Sequence, residues 1–276
     1  MKNWDKWITD AVDELKCYIK HNKLKSVVLG LSGGIDSTVS AVICHLATKN
    51  IPDVTFIGRS LPIKHTTGER VIIAKELGEL LCDDFAEVNL CDMYKSFRDF
   101  FYDNEEESRA NTISDGNIMA RLRMMYLYQL ASNYKGMVID TDNMTEHMLG
   151  FYTIHGDVGD YNVGISHLWK HEMWEVAEVL KQYVPAAANI IQKSINQQPT
   201  DDNTSGTDLD QIAPGATYGD VDLILNSLDN RFRYREAIDK CGLELVTHIE
   251  DRVIANSYKE ELPITPRGMK TWFNKD

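Results

Sequence analysis

Hydrophobic positions along the chain follow two rhythms. Ile8, Val12, Leu15 and Ile19 recur at helical spacing and predict a helix over 2–22. Val27 to Leu31 is a short apolar, β-branched run and predicts a buried strand. Ser32-Gly33-Gly34 breaks that run, and Val39, Val42, Ile43 and Leu46 resume helical spacing in a helix from Thr38 onward. The succession then repeats, with strands expected at 54–61, 86–90 and 136–140 and helices at 67–81, 93–102 and 116–134. Strands alternating with helices predict an α/β fold, a doubly wound and mostly parallel sheet flanked by helices. Ligands bind such sheets beyond the C-terminal strand ends, and residues 32–37 and 141–146 both follow strands.

Between these elements the pattern lapses. Residues 103–115 are acidic and aperiodic and predict an exposed, mobile loop. Residues 151–166, rich in Gly, Asp, Tyr and Asn, read as an irregular functional loop. A helix is expected over 169–182, with Met173, Val176, Ala177 and Leu180 inward, and further helices over 218–228 and 244–257. The polar stretch 196–217 is too long for an idle connection in a compact chain and reads as either disorder or a lid. The expectation is a single domain over 1–276, with an N-terminal helix within 1–25, mobile loops, and a C-terminal tail over 259–276.

Composition narrows the partners. A hydrophobic content of 43% and a charged content of 26% are those of a soluble globular protein. No apolar run approaches a membrane span, and the N-terminus has no apolar signal core. The five cysteines form no C-x-x-C pair and are odd in number, which suits free thiols in a reducing cytoplasm. A net charge of −13 argues against a nucleic-acid surface, which needs a basic stripe. It does not exclude a nucleotide substrate, because a local nest and a metal ion can outweigh the global field.

The break after the first strand carries chemistry. Backbone N–H groups in a Gly-rich strand-to-helix loop cradle phosphate, and Ser32, Ser37 and Thr38 can add hydroxyl donors. Asp36 in that loop repels a phosphate unless a cation lies between them, so its expected task is to hold Mg²⁺. The motif is neither a Walker A loop nor G-x-G-x-x-G. The bland alternative is a plain βα turn. Ser32-Gly-Gly-Ile-Asp-Ser37 resembles the pyrophosphate loop of the ATP pyrophosphatases, of adenine nucleotide α-hydrolase-like fold, which cleave ATP to AMP and PPi while adenylating a substrate.

Three further blocks narrow the resemblance to the NAD synthetases of the ammonia-dependent type: Gly116-Asn-Ile-Met-Ala-Arg-Leu-Arg-Met124, Ile139-Asp-Thr-Asp-Asn-Met-Thr-Glu-His-Met-Leu-Gly-Phe151, and Gly156-Asp157. The resemblance implies a ligase that adenylates deamido-NAD with ATP and Mg²⁺ and displaces AMP with ammonia, giving NAD, AMP and PPi. It implies ATP contacts at Ser32, Gly33, Gly34, Asp36, Ser37, Thr38, Thr141, Lys170 and Ser194, and deamido-NAD contacts at Arg121, Asp160, Tyr258 and Lys259. Asp36 and Glu146 would hold the metal, and Lys170 would neutralise charge on the α-phosphate. Asp157 would orient ammonium or take its proton, although Gly156-Asp157 also suits a simple turn. The resemblance also implies a homodimer with substrate sites at the interface.

Two positions depart from the family pattern. Ile154 stands where a lysine is usual, and Tyr258 replaces the histidine of a His-Lys pair. Both lie on the dinucleotide side, so either Tyr258 substitutes for the histidine or the acceptor differs. The histidines, His167 and His171 at i, i+4 among them, form no H-E-x-x-H and have no cysteine nearby, which disfavours zinc. The single helix before the first strand leaves no room for a fused amidase, so nitrogen is expected as ammonia, with a separate glutaminase partner not indicated. The rival readings are another ATP pyrophosphatase acting on a different carboxylate or on RNA, and a non-catalytic nucleotide-binding module. Two metal carboxylates and a phosphate lysine are more than mere binding requires.

Overall fold

A computed structural model describes residues 2–63, 68–105, 112–200, 206–228 and 231–259. The sheet order is β3-β2-β1-β4-β5, built from β1 (Ser26–Gly30), β2 (Thr55–Ser60), β3 (Asp84–Glu87), β4 (Gly136–Asp140) and β5 (Tyr161–Asn162). Every neighbouring pair runs parallel. The order reverses between β1 and β4, so a crevice opens at their C-terminal ends.

Strand alternation decides which helices cover which face. Val27 and Leu29 of β1, Phe56 of β2 and Met137 and Ile139 of β4 face one core. That side is closed by α1 (Trp4–His21), α2 (Ile35–Thr48), α3 (Gly68–Leu81), α7 (Lys170–Tyr183) and α8 (Ala188–Ile195). Val28, Ile57 and Val138 face the other core, closed by α4 (Cys91–Asn104) and α5 (Thr112–Asn133). A third cluster joins α6 (Met144–Leu149) with α9 (Asp208–Ile212), α10 (Tyr218–Leu225), α11 (Arg231–Cys241) and α12 (Leu243–Asn256). It walls the crevice through Gln211, Arg252 and Asn256. No described helix is long and apolar enough to cross a membrane, and all five cysteines are free.

Several expectations move. The third strand begins at Asp84 rather than Ala86, and Val88 and Leu90 lie beyond it. The Asp83 carboxylate accepts from Phe56 N at 2.8 Å and starts the ladder early. Leu90 is apolar because it packs into the second core at the entry to α4. Both ends of the expected acidic loop are helical, since α4 runs to Asn104 and α5 starts at Thr112, with Arg98 and Asp115 paired at 3.1 Å. The expected irregular loop contains β5, and the expected lid contains α9, started by a Thr207–Asp210 capping box. The expected start at Thr67, the middles of the acidic and lid loops, and the tail beyond Lys259 lie outside the described residues.

Candidate active site

The loop between β1 and α2 is built by close approach. Gly33 has φ +78°, and a Cβ there would stand 2.2 Å from the Arg70 carbonyl oxygen. Only glycine fits both constraints. Ser32 Oγ lies 3.0 Å from Ser37 Oγ and accepts from Gly34 N at 3.2 Å, which curls the loop over the start of α2. Beneath it, the buried Thr38 and Ser194 hydroxyls meet at 2.8 Å, and Ser194 also donates to Gly33 O at 3.2 Å. Gly33, Thr38 and Ser194 thus brace the loop from below, whereas Ser32, Gly34, Asp36 and Ser37 line the cavity.

The second strand end supplies the partner of Asp36. Asn143 caps α6 in a reciprocal box with Glu146, accepting from Glu146 N at 3.1 Å while Glu146 Oε2 accepts from Asn143 N at 3.2 Å. Asn143 Nδ2 also donates to Asp36 Oδ1 at 3.0 Å. One side chain therefore caps α6 and ties the two strand ends together. Lys170, at the first turn of α7, completes the group. Its side chain is 2% exposed, and its ammonium lies 2.6 Å from Asp36 Oδ2 and 2.8 Å from Glu146 Oε1.

The electrostatics follow from burial. Burial opposes the Lys170 ammonium, but Asp36 and Glu146 outweigh it, so its pKa stands well above that of an ordinary lysine. Burial pushes the Glu146 carboxyl up to about 7, with Lys170 opposing and Asp36 adding to the rise. Asp142 is driven well up by burial and by Asp140, Asp157, Glu146 and Asp36 around it.

These groups floor a cavity of about 640 Å³. Thr141, Arg121, Asp157, Tyr258 and Lys259 also line it, as do Arg59, Arg70, Arg123 and Arg252. A cation-rich crevice in an acidic protein suits a polyanion. Arg121 Nε donates to Ile154 O at 3.2 Å, and Lys259 Nζ donates to Gly150 O and Tyr152 O at 2.6 and 2.8 Å. Both cations are thereby fixed at the cavity wall by backbone carbonyls. Asp157 accepts from Thr153 N at 2.5 Å, so it closes a turn and lines the cavity at once.

Asp160 stands apart, outside the cavity lining. Its carboxylate accepts from Val138 N at 3.0 Å and from Tyr128 Oη at 3.0 Å, which holds the β4 edge. Asp160→Ala is expected to cost about 1–2 kcal/mol of stability, read by denaturant unfolding, while leaving KM values within about twofold. A large rise in the acceptor KM at unchanged stability would instead place Asp160 in the binding site.

Among the described residues no group of three or more His, Cys, Asp or Glu converges as a metal site. Asp36 and Glu146 nevertheless fit Mg²⁺, because both already share one cation, Lys170. Mg²⁺ takes one or two carboxylates and fills its remaining positions with water and phosphate oxygens. Sequence reasoning missed Arg70, whose Nη2 would lie 2.7 Å from a Cβ at Gly34, and Arg252, whose Nη1 donates to Gln211 O at 3.0 Å. Each arrives from a helix distant in sequence, and no local pattern marks it.

Comparison with known proteins bears on the same geometry. The family model described as NAD synthase matches residues 7–263. The NH(3)-dependent NAD(+) synthetase of Helicobacter pylori (strain P12) is 31% identical over 268 residues, covering 95% of this chain and 96% of that protein. The solved NH3-dependent NAD synthetase of Campylobacter jejuni, in complex with nitrate, superposes with a TM-score of 0.72 at 25% identity, covering 96% of this chain and 100% of that one. The NMN synthetase of Francisella tularensis shares the fold with a TM-score of 0.78 at 24% identity, covering 97% of this chain and 100% of that one. The match runs through the loop between β1 and α2, both carboxylate-bearing strand ends and Lys170, and the chain belongs to the NAD synthase family.

Proposed function

We propose that this protein catalyses the ATP-dependent amidation of deamido-NAD by ammonia, giving NAD, AMP and PPi. The observation that carries the reading is the buried Lys170 ammonium held between Asp36 and Glu146 at the β1 and β4 ends, beside a phosphate-shaped loop. The backbone N–H groups of residues 32–37 and the α2 N-terminus would receive the β- and γ-phosphates. Asp36 and Glu146 would hold Mg²⁺, which supplies charge neutralisation for the departing pyrophosphate.

The nicotinate carboxylate oxygen attacks the α-phosphorus, and the bond to the β-phosphate oxygen breaks to release PPi. Lys170 stabilises charge on the α-phosphate during that transfer. Arg121 and Lys259, already oriented by carbonyls, hold the acceptor. Ammonia then attacks the acyl carbon, AMP leaves with the bonding pair, and Asp157 takes the released proton. A homodimer is consistent with an exposed apolar face beside Arg121, where Phe97, Phe100, Phe101, Ile113 and Met125 stand 43–69% exposed. The free thiols suit a cytoplasmic setting.

The test is purified protein with deamido-NAD, ATP, Mg²⁺ and ammonium chloride, following NAD and PPi together. Equal amounts of both are expected, with none when glutamine replaces ammonium. ATP binding without either product would remove the reading. A second acceptor deserves the same assay because Tyr258 and Ile154 depart from the family pattern on the cavity's dinucleotide side. Nicotinate mononucleotide presents the same carboxylate without the adenylate half. A higher kcat/KM for it than for deamido-NAD would assign the shorter acceptor.

A further inference from the structure

The helix α10 lines none of the cavity, yet one of its side chains reaches the cation at the cavity floor, and another, one turn on, reaches the helix start that carries it. The Tyr218 ring lies 5.8 Å from Lys170 Nζ. Asp222, 1% exposed, accepts three hydrogen bonds: from Thr145 Oγ1 at 2.5 Å, from His171 N at 2.9 Å and from His171 Nδ1 at 2.7 Å. Thr145 Oγ1 in turn accepts from Lys170 N at 2.8 Å.

The chain order makes this arrangement consequential. Thr145 directly precedes Glu146, and Lys170 directly precedes His171. The Lys170 and His171 amides are donors that the first turn of α7 cannot satisfy internally. One hydroxyl and one carboxylate satisfy them from other helices, so α6, α7 and α10 are joined at one point. A buried carboxylate facing a helix N-terminus is also favoured by the helix dipole.

We propose that Asp222, acting through Thr145 and His171, is a positioning residue that sets Lys170 relative to Glu146 and Asp36. The inference rests on the reading of Lys170 and Glu146 as working groups. Asp222 touches no reacting atom. It fixes the backbone from which both working side chains extend, and small displacements there are amplified in the rate.

Thr145→Val keeps the shape and removes both hydrogen bonds, whereas Thr145→Ser keeps them. For Thr145→Val, kcat is expected to fall about tenfold to a hundredfold, with KM for ATP and acceptor within about twofold. Thr145→Ser is expected to stay within about threefold of the parent protein. A crystal structure of Thr145→Val is expected to show the Lys170 ammonium parted from one carboxylate. Parental kcat in Thr145→Val, or equal impairment in both variants, overturns the proposal. Should Thr145→Val not fold, His171→Ala carries the test, because that ring is half exposed. It should lower kcat severalfold at constant KM, and an unchanged kcat overturns the proposal. If the parent protein makes neither NAD nor PPi, the functional reading fails by itself. The crystal structure then decides the positioning, and an ammonium still on both carboxylates overturns it.

Discussion

Lys170→Met is expected to reduce turnover by about 10³-fold while leaving ATP binding measurable. A single preorganised donor on developing charge is worth about 10²–10³ in rate, and Lys170 is the buried cation that lines the cavity beside the loop between β1 and α2. The substitution also leaves Asp36 and Glu146 facing each other without their shared partner. Breaking a buried pair in this way costs about 3–5 kcal/mol. The variant should therefore melt well below the parent, and Mg²⁺ or Mn²⁺ should raise its Tm more than the parent's. Single-turnover release of PPi separates the chemical loss from the loss of fold. Turnover within tenfold of the parent, in a variant that melts as expected, would remove Lys170 from the α-phosphate.

Glu146→Gln should lose about 10²-fold in turnover, because one of two metal-capable carboxylates is gone. Its stability should carry a sign that is unusual for a carboxylate. Burial raises the folded-state pKa from the ordinary 4.5 to about 7. Between those values the folded state keeps a proton that the unfolded state has released. Glu146 therefore subtracts stability from the parent protein as pH rises through that window, and the deficit is complete above about pH 7. Glutamine does not titrate. The stability of the variant minus that of the parent should become more favourable from pH 5 to pH 8, by up to about 3 kcal/mol. Denaturant melts at the two pH values measure this difference. A difference that is flat or moves the other way would mean Glu146 is ionised throughout. The absolute offset will include loss of part of the Asn143–Glu146 box, which closes the N-terminus of α6.

How much could be read in advance differs by residue. The loop between β1 and α2 is legible because its parts are contiguous: an apolar strand, a glycine that permits φ +78°, and a helix start. Asp36, Glu146 and Lys170 are legible through the family resemblance, since they lie far apart in the chain. No sustained apolar periodicity in the sequence marks the helices α8 and α11. In α8, of eight residues, only Ile191 and Ser194 are buried, and α11 is so charged that no apolar stripe marks it. The strand β5 has only two residues and is held by Asp140 and Asn162 side chains rather than by an apolar run.

The sequence by itself determined the alternation of strands and helices, the parallel sheet that follows from it, and the Gly-rich loop at one strand end. These rest on spacing and local conformation, which are properties of neighbours in the chain. Only the tertiary structure decided which polar residues line the cavity and which make their hydrogen bonds outside it. Thr38 and Ser194 pair beneath the loop, Asp160 holds the edge of β4, and Asp222 clamps α7 from a helix outside the cavity. The physical reason is that a hydroxyl or carboxylate takes its role from the donors brought within about 3 Å of it, and those donors come from elements far away in sequence.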